Sequence, residues 1–482
     1  MPTPTYGHSI RHDQAMLNES LAQASSTPFW LDTPDRPEPR PALQHDLMAD
    51  LLIIGGGFCG LWTALIAKER HPEWNIILLE QQRIAWAASG RNGGFCESSL
   101  THGDENGELH YPDELPIIHK LADQNFAEIA ATIERYNIDA EWETGGIMVV
   151  ATEPHQEHEL RASADQSADA HVLDMTKPHG YGASPVYRAG VTHHKGYAYV
   201  HPAKLAWGLA QAAEDLGVQI FENTEVTELS NSSWLAQLTR TSKPITAHTP
   251  EGTVTAQRVA LATNVFPSLL RRLRLFTVPI YDYALMTEPL TQEQLQAIDW
   301  TRRNGITDSG REFHYYRKTS DNRILFGGWD AVYHWGRKVQ PSQDQRHETF
   351  LLLADHFFTT FPALQGIRFT HAWGGAIDMS TQLMAFHGKT RSGNIAYSAG
   401  YTGLGVGATR FGASVMLDLL EGSTTQRTEL TMTQRLPIPI PPEPIAYPLI
   451  HTIRRAVARS DRRGKDSLLL KLMGLFKVGF DS

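Results

Sequence analysis

The sequence predicts an α/β protein: a Rossmann-like dinucleotide-binding domain with an interleaved α+β domain built on a mostly antiparallel sheet. Three observations carry this reading. The apolar run after Asp50 leads into Gly55-x-Gly57-x-x-Gly60, a helical stretch from Leu61 to Arg70, and a second strand from Asn75 to Leu79 that ends in Glu80. A strand, a glycine turn and a helix recur from Asn394 to Leu420. Between them, Tyr281 to Met286, Phe313 to Lys318 and Arg323 to Gly328 read as strands of an antiparallel sheet.

The first of these segments is the βαβ dinucleotide fingerprint. Its glycines make a turn too tight for side chains, and the following helix start, with Phe58 and Cys59, offers unpaired N–H groups to a pyrophosphate. Glu80, followed by Gln81, is spaced to accept hydrogen bonds from a ribose diol. Beyond it lies a second glycine-rich loop, Ala87-Ala88-Ser89-Gly90-Arg91-Asn92-Gly93-Gly94. Such a loop suits a longer ligand, with Ser89 and Arg91 as further pyrophosphate donors and bare backbone approaching a flat ring.

At these residues the chain resembles the FAD-dependent amine and amino-acid oxidoreductases of the D-amino acid oxidase superfamily. The likeness is closest to the γ-glutamylputrescine oxidoreductase-like branch. Later segments add to it: Glu225-Val226 with Arg258 to Ala262-Thr263-Asn264, Thr287 to Leu290, Trp373-Gly374-Gly375-x-Ile377-Asp378, and Gly400-Tyr401-Thr402-Gly403-Leu404-Gly405-Val406-Gly407. The resemblance spans Trp30 to Gly422. It implies a glutathione reductase type 2 or D-amino acid oxidase-like fold and non-covalent FAD. Val226, Ala262, Thr263, Gly375 and Tyr401 to Gly405 then join the cofactor site.

Composition bounds the rest. At 482 residues, with 41% hydrophobic and 20% charged residues, the chain is an ordinary globular protein. A net charge of −10 argues against nucleic acid as a partner. Two cysteines, Cys59 and Cys96, make no disulfide framework, and Cys96 reads as a small buried residue rather than a flavin-linked thiol. No signal peptide is evident. The uncharged Leu51 to Ala67 stretch is shorter than the ~20 residues of a membrane span. A cytoplasmic protein without an integral membrane segment is expected, and homo-oligomerisation stays open.

The expected organisation is an N-terminal arm over 1–48, a discontinuous cofactor domain over 49–112, 190–275 and 375–425, a substrate domain over 113–189 and 276–374, and a tail over 426–482. Helices are expected over Asp113 to Tyr136, His155 to Ala170, Pro202 to Leu216 and His347 to Phe361. The arm is polar and proline-rich, with Phe29-Trp30-Leu31 as its anchor. The tail has eight Lys/Arg against three acids from Ile450 on and is strongly apolar from Leu468 to Phe476. It is expected to pack its apolar face on its own subunit or a partner, with a membrane-surface helix as the alternative.

Substrate-facing residues are read from strand alternation. His314 to Lys318 divides into a Phe313/Tyr315/Arg317 face and a His314/Tyr316/Lys318 face. Arg317 either holds an anionic group of the substrate or forms an intraprotein salt bridge. Tyr281, Tyr283, Trp329 and Trp373 are candidates for an aromatic cage around an amine, and His314 or Tyr316 for taking its proton. The 22 histidines show no zinc spacing, so no metal is expected.

The resemblance implies oxidation of a C–N bond in a small amine to an imine that water hydrolyses, with oxygen or another acceptor taking the electrons. γ-Glutamylputrescine-like or polyamine-derived substrates lead, with N-alkyl amino acids and aminophosphonates as alternatives. An NADPH-dependent flavin monooxygenase would carry a Gly-Asp pair where this chain has Ser398-Ala-Gly-Tyr. A flavin-holding non-catalytic subunit is the alternative outside enzymology.

Overall fold

Leu51 to Ile54 are apolar on both faces and nearly inaccessible to solvent, which suits a strand in the middle of a parallel sheet. The strand Leu47–Ile54 pairs in parallel with Ile76–Leu79 on one side and Thr253–Leu261 on the other. Gln219–Phe221 extends the sheet beyond Ile76–Leu79. The long strand Thr253–Leu261 has two partners on its outer edge. Its first half pairs antiparallel with Ile245–His248, and its last residues pair in parallel with Ile395–Ala399. Glu228–Ser230 and Phe386–Lys389 complete eight strands. The structure is a computed structural model and describes residues 4–165, 169–230, 243–475 and 477.

Helices Phe58–Arg70 and Gly405–Glu421 pack against one another on this sheet. Phe58 to Ala67 are all buried. Gly60 is the reason the first helix sits so close to its strand: a Cβ there would lie 1.9 Å from the Gly55 carbonyl oxygen.

The second sheet also has eight strands, in the order Phe369–Met379, Val278–Thr287, Ile324–Gly328, His314–Lys318, Gly305–Asp308, Ile147–Ala151, Ala189–His193 and Ala170–Val172. All its pairings are antiparallel except Gly305–Asp308 with Ile147–Ala151. The fold is thus a Rossmann-like α/β domain with an interleaved, mostly antiparallel sheet. Helix His347–Thr360 covers one face of that sheet, burying Phe350, Phe357 and Phe358. A small third sheet joins Phe95–Glu97, Tyr197–Tyr199 and Glu143–Thr144.

Two strands lie in a different sheet from the one expected. Ala189–His193, expected in the cofactor portion, pairs in the second sheet because Ala189 and Val191 pack on Ala151 and Leu160. The strand Phe369–Met379 runs on past Gly375, so residues 375–379 belong to the second sheet too. Residues 1–48 are more integrated than an irregular arm. Helix Gln14–Leu21 packs on His347–Thr360, and Tyr6, Leu17, Trp30, Leu31 and Leu43 are buried in the body.

The tail forms helices Ala446–Arg463 and Leu468–Leu475, and Arg454–Asp330 (2.8 Å) and Arg311–Asp466 (2.6 Å) tie it to its own chain. The apolar stretch expected to pack buries Leu470 alone among its described residues and leaves Leu468, Leu472 and Leu475 exposed. Phe476 and 478–482 of the tail, 231–242 of the expected cofactor portion, and 166–168 of the helix expected to reach Ala170 lie outside the described residues. That helix is observed over Pro154–Ala164. No described helix is long and apolar enough to cross a membrane.

The Gly60 contact generates a prediction. Gly60→Ala should lower stability by about 3 kcal/mol or more, because neither the strand nor the helix can yield. Gly405→Ala, whose Cβ meets nothing nearer than 4.0 Å, should unfold with the wild type. Denaturant midpoints measure both, and an unchanged midpoint for Gly60→Ala would contradict the packing argument.

Candidate active site

A cavity of about 2130 Å³ opens between the two large sheets. Its wall brings together Gly55, Gly57, Phe58 and Cys59 of the first glycine bend, Glu80 and Gln81 of the second strand end, and Ala88, Ser89, Arg91, Asn92 and Gly93 of the second bend. Val226, Ala262, Thr263, Gly375 and the turn from Tyr401 through Thr402, Gly403 and Leu404 to Gly405 also line it. Tyr283, Tyr315, Trp329 and Trp373 lie on the same wall. Gly60 and Gly94 do not. Both are close-packing positions, with the Val200 carbonyl oxygen only 2.3 Å from where a Gly94 Cβ would stand.

Glu80 is buried and shapes the first bend. One carboxylate oxygen accepts from the Gly56 N–H (2.6 Å), the other from the Gln82 N–H and the Trp86 indole (both 2.8 Å). Burial holds its pKa above the ordinary carboxylate range. The Gly56-facing oxygen retains a lone pair for a further donor. The Ser89 hydroxyl accepts from the Phe58 N–H (2.9 Å) at the helix start, so its own proton remains to donate. Helices Phe58–Arg70 and Gly405–Glu421 both begin at the cavity, and neither residue before them, Gly57 or Leu404, supplies a side-chain cap.

Arg91 is the first correction. It does not reach into the cavity as a free phosphate donor. Its guanidinium donates to the Trp86 and Gly374 carbonyls (both 2.8 Å) and pairs with Asp344 at 2.7 Å. Trp373 in turn donates its indole N–H to the Arg91 carbonyl (2.8 Å). Arg91 and Trp373 therefore clamp the second glycine bend onto the second sheet.

The substrate-side expectations divide. Tyr315 faces the cavity and donates its hydroxyl to Asp282 (2.5 Å). Tyr283 only borders it, 1% exposed, with its hydroxyl on the Gln343 carbonyl (2.8 Å). Arg317, although on the Tyr315 face, does not line the cavity, and among the described residues it forms no salt bridge. It is buried, donates to the Gly93 and Val200 carbonyls (2.8 and 2.6 Å), and lies over the Trp30 and Tyr199 rings. His314 and Tyr316, the catalytic candidates, are off the cavity wall. They point under helix His347–Thr360, where His314 meets Asp308 (2.6 Å) and His356 (3.0 Å), and Tyr316 meets the Tyr187 hydroxyl (2.7 Å). Tyr281, on the same face as Tyr283, is likewise not on the wall.

Three acids on the wall were missed by sequence reasoning. Asp378, within a quoted motif but given no role, accepts from the Gly400 and Tyr401 N–H groups (2.5 and 3.1 Å) and so shapes the turn before the second helix. Asp282 sits between Tyr281 and Tyr283, where alternation could have exposed it. Glu97 ends the strand Phe95–Glu97, two residues from Phe95 and so on the same face. Burial pushes Asp378 and Asp282 up to about 6 and Glu97 up to about 7. The thiols are also held protonated by burial, Cys59 at about 12. Among the described residues no group of His, Cys, Asp and Glu could hold a metal ion.

Residues 50–419 match the family described as FAD dependent oxidoreductase. The chain belongs to this family. Curated relatives include the γ-glutamylputrescine oxidoreductase of Escherichia coli, 26% identical over 85% of this chain and 92% of the relative, and a sarcosine oxidase subunit beta of Rhizobium meliloti, 22% identical over 86% and 92%. Among solved structures, the glycine oxidase of Geobacillus kaustophilus aligns with a TM-score of 0.65 at 19% identity, covering 81% of this chain and all of that one. The L-amino acid deaminase of Proteus vulgaris aligns at 0.62 and 17%, covering 82% and 97%. These two likenesses show a shared fold.

The residues present fit the cofactor that defines this FAD dependent oxidoreductase family. A dinucleotide diphosphate needs N–H donors, and the helix start at Phe58 offers those beyond the Phe58 N–H, which the Ser89 hydroxyl takes. A flat ring needs close approach to backbone. At Gly403, held at φ +94°, an added Cβ would meet nothing within 4 Å. Glu80, Gly57, Ser89 and the Tyr401–Gly405 turn would hold FAD.

Two predictions follow from the placement of Arg317 and Glu97. Arg317→Ala strands two buried carbonyls and should cost about 2–4 kcal/mol in denaturant unfolding, with the concentration of amine needed for half-maximal flavin reduction unchanged. A large rise in that concentration with stability intact would restore a substrate role. Glu97 titrates in the folded chain at about 7 instead of the usual 4.5, so its ionisation costs stability as pH rises through that interval. Glu97→Gln should therefore melt higher than the wild type at pH 8 and equally at pH 4. A lower melting temperature at pH 8 would show that the carboxylate is a structural partner.

Proposed function

We propose that this FAD-dependent oxidoreductase oxidises a C–N bond of a small amine or amino-acid derivative to an imine, which water then hydrolyses to an aldehyde or keto acid. The observation that carries the reading is one continuous cavity joining the glycine bends and two helix starts to a chamber walled by Tyr315 and Trp329. Non-covalently bound FAD supplies the hydride acceptor. The protein's own part is to position the amine, exclude water and remove one proton.

That proton has a path. The amine must lose it before hydride departure, since the nitrogen lone pair stabilises the developing iminium. The Tyr315 oxygen can accept a proton from a substrate ammonium while passing its own to Asp282 Oδ2, to which it is hydrogen-bonded. Asp282 ionises at about 6, so the relay is charged and ready at neutral pH. The rings of Tyr315 and Trp329 meanwhile suit an alkyl-amine chain.

Polyamine-derived substrates, γ-glutamylputrescine among them, are the first choice. The similarity to the E. coli enzyme supports it. N-alkyl amino acids rank second.

Anaerobic mixing with a panel of primary and secondary amines tests the reading. Bleaching of flavin absorbance by at least one amine, and not by NADPH, is the expected result. Bleaching by NADPH alone would move the protein to the flavin monooxygenases. Tyr315→Phe should slow amine-driven bleaching about 100-fold at neutral pH and much less at high pH, where the amine is already neutral.

A further inference from the structure

We infer that Glu97 is the specificity residue of this site and binds a second, positively charged nitrogen of the substrate, so that the substrate class is a di- or oligoamine. The inference rests on the amine-oxidation reading above and deepens it.

Geometry places the residue. In the strand Phe95–Glu97, Cys96 points into the core, and Phe95 and Glu97 share the opposite face. The Phe95 ring meets Tyr315 edge-on at 5.8 Å, so the face carrying Glu97 is the one that looks towards the Tyr315–Asp282 pair. The strand is held in place from behind. The Glu97 carbonyl oxygen lies 2.5 Å from where a Gly407 Cβ would stand, which seats the strand on the first turn of helix Gly405–Glu421. The side chain lines the cavity.

Chemistry then says what it meets. Among the described residues the Glu97 carboxylate has no hydrogen-bond or ion-pair partner. A half-buried carboxylate on a cavity wall, with no such partner, is open to a cationic ligand. Among the described residues no cation on the cavity wall pairs with it, Arg274 and Lys465 included. Arg91 pairs with Asp344, Arg454 with Asp330 and Arg311 with Asp466, each on the same cavity wall.

The partner nitrogen is not the one oxidised. A carboxylate against the reacting amine would keep it protonated, and a protonated amine cannot release hydride. Glu97 therefore serves a nitrogen that stays charged throughout, at the far end of an alkyl chain whose near end reaches Tyr315. A monoamine lacks that contact, and an ω-amino acid would set a carboxylate against Glu97.

The test uses the full-length FAD-loaded protein, with 1,4-diaminobutane, butylamine and 4-aminobutanoate as probes. Binding is read by calorimetry and reduction by anaerobic flavin bleaching. The wild type should bind the diamine at least about tenfold tighter than butylamine, and 4-aminobutanoate weakest of the three. Glu97→Gln should bring diamine affinity down to that of butylamine with FAD content and limiting bleaching rate retained. Glu97→Lys should make 4-aminobutanoate the tightest binder. Equal diamine affinity in the wild type and Glu97→Gln would overturn the assignment, as would an equal loss for all three probes. Glu97-dependent diamine binding without bleaching by any amine would instead sink amine oxidation and leave the Glu97 contact standing.

Discussion

The site depends on one close approach of backbone to backbone. Helix Phe58–Arg70 starts where it does because Gly60 lies against the Gly55 carbonyl, a contact no side chain permits. That contact aims the uncapped helix start at the cavity and leaves room for Glu80 to close the bend on Gly56. The second bend repeats the logic through the Ser89 hydroxyl on the Phe58 N–H. A diphosphate between these bends would meet the helix-start N–H groups that Ser89 and Glu80 leave free.

A second constraint sets what lies opposite. Arg91 spends its guanidinium on Trp86, Gly374 and Asp344, and Trp373 returns a bond to the Arg91 carbonyl. These bonds fasten the glycine bend to the edge strand of the second sheet and fix the distance from cofactor wall to aromatic chamber. Arg317 does the same from below through Gly93 and Val200. Arg91 and Arg317 both hold protein carbonyls, and the acids Glu97 and Asp282 lie on the wall beside Tyr315.

What was legible in the sequence was local. The βαβ unit, its acid and the Gly400–Gly407 turn announce themselves because the apolar run, the glycines and the helix lie within a few dozen residues. The alternation at Phe313 to Lys318 correctly separates two faces, yet cannot say which face a helix will cover. Helix His347–Thr360 covers the one bearing His314 and Tyr316, and only tertiary packing decides that. Arg91 and Arg317 were misjudged for the same reason, their partners being far away in the chain. Asp282 and Glu97 carried a faint signal, a lone acid in an apolar or aromatic strand, which has meaning only once the strand's open face is known. Ala189–His193 reads as a strand in either sheet, and its packing on Leu160 settles the choice.

The most direct test of the central claim is the flavin content of the purified full-length chain, measured as FAD released into the supernatant on acid precipitation, after incubation with excess FAD and gel filtration. The account predicts a yellow protein with about one FAD per chain, and a Glu80→Ala variant that loses most of it. A colourless wild-type protein that takes up no FAD would contradict the assignment of the cavity.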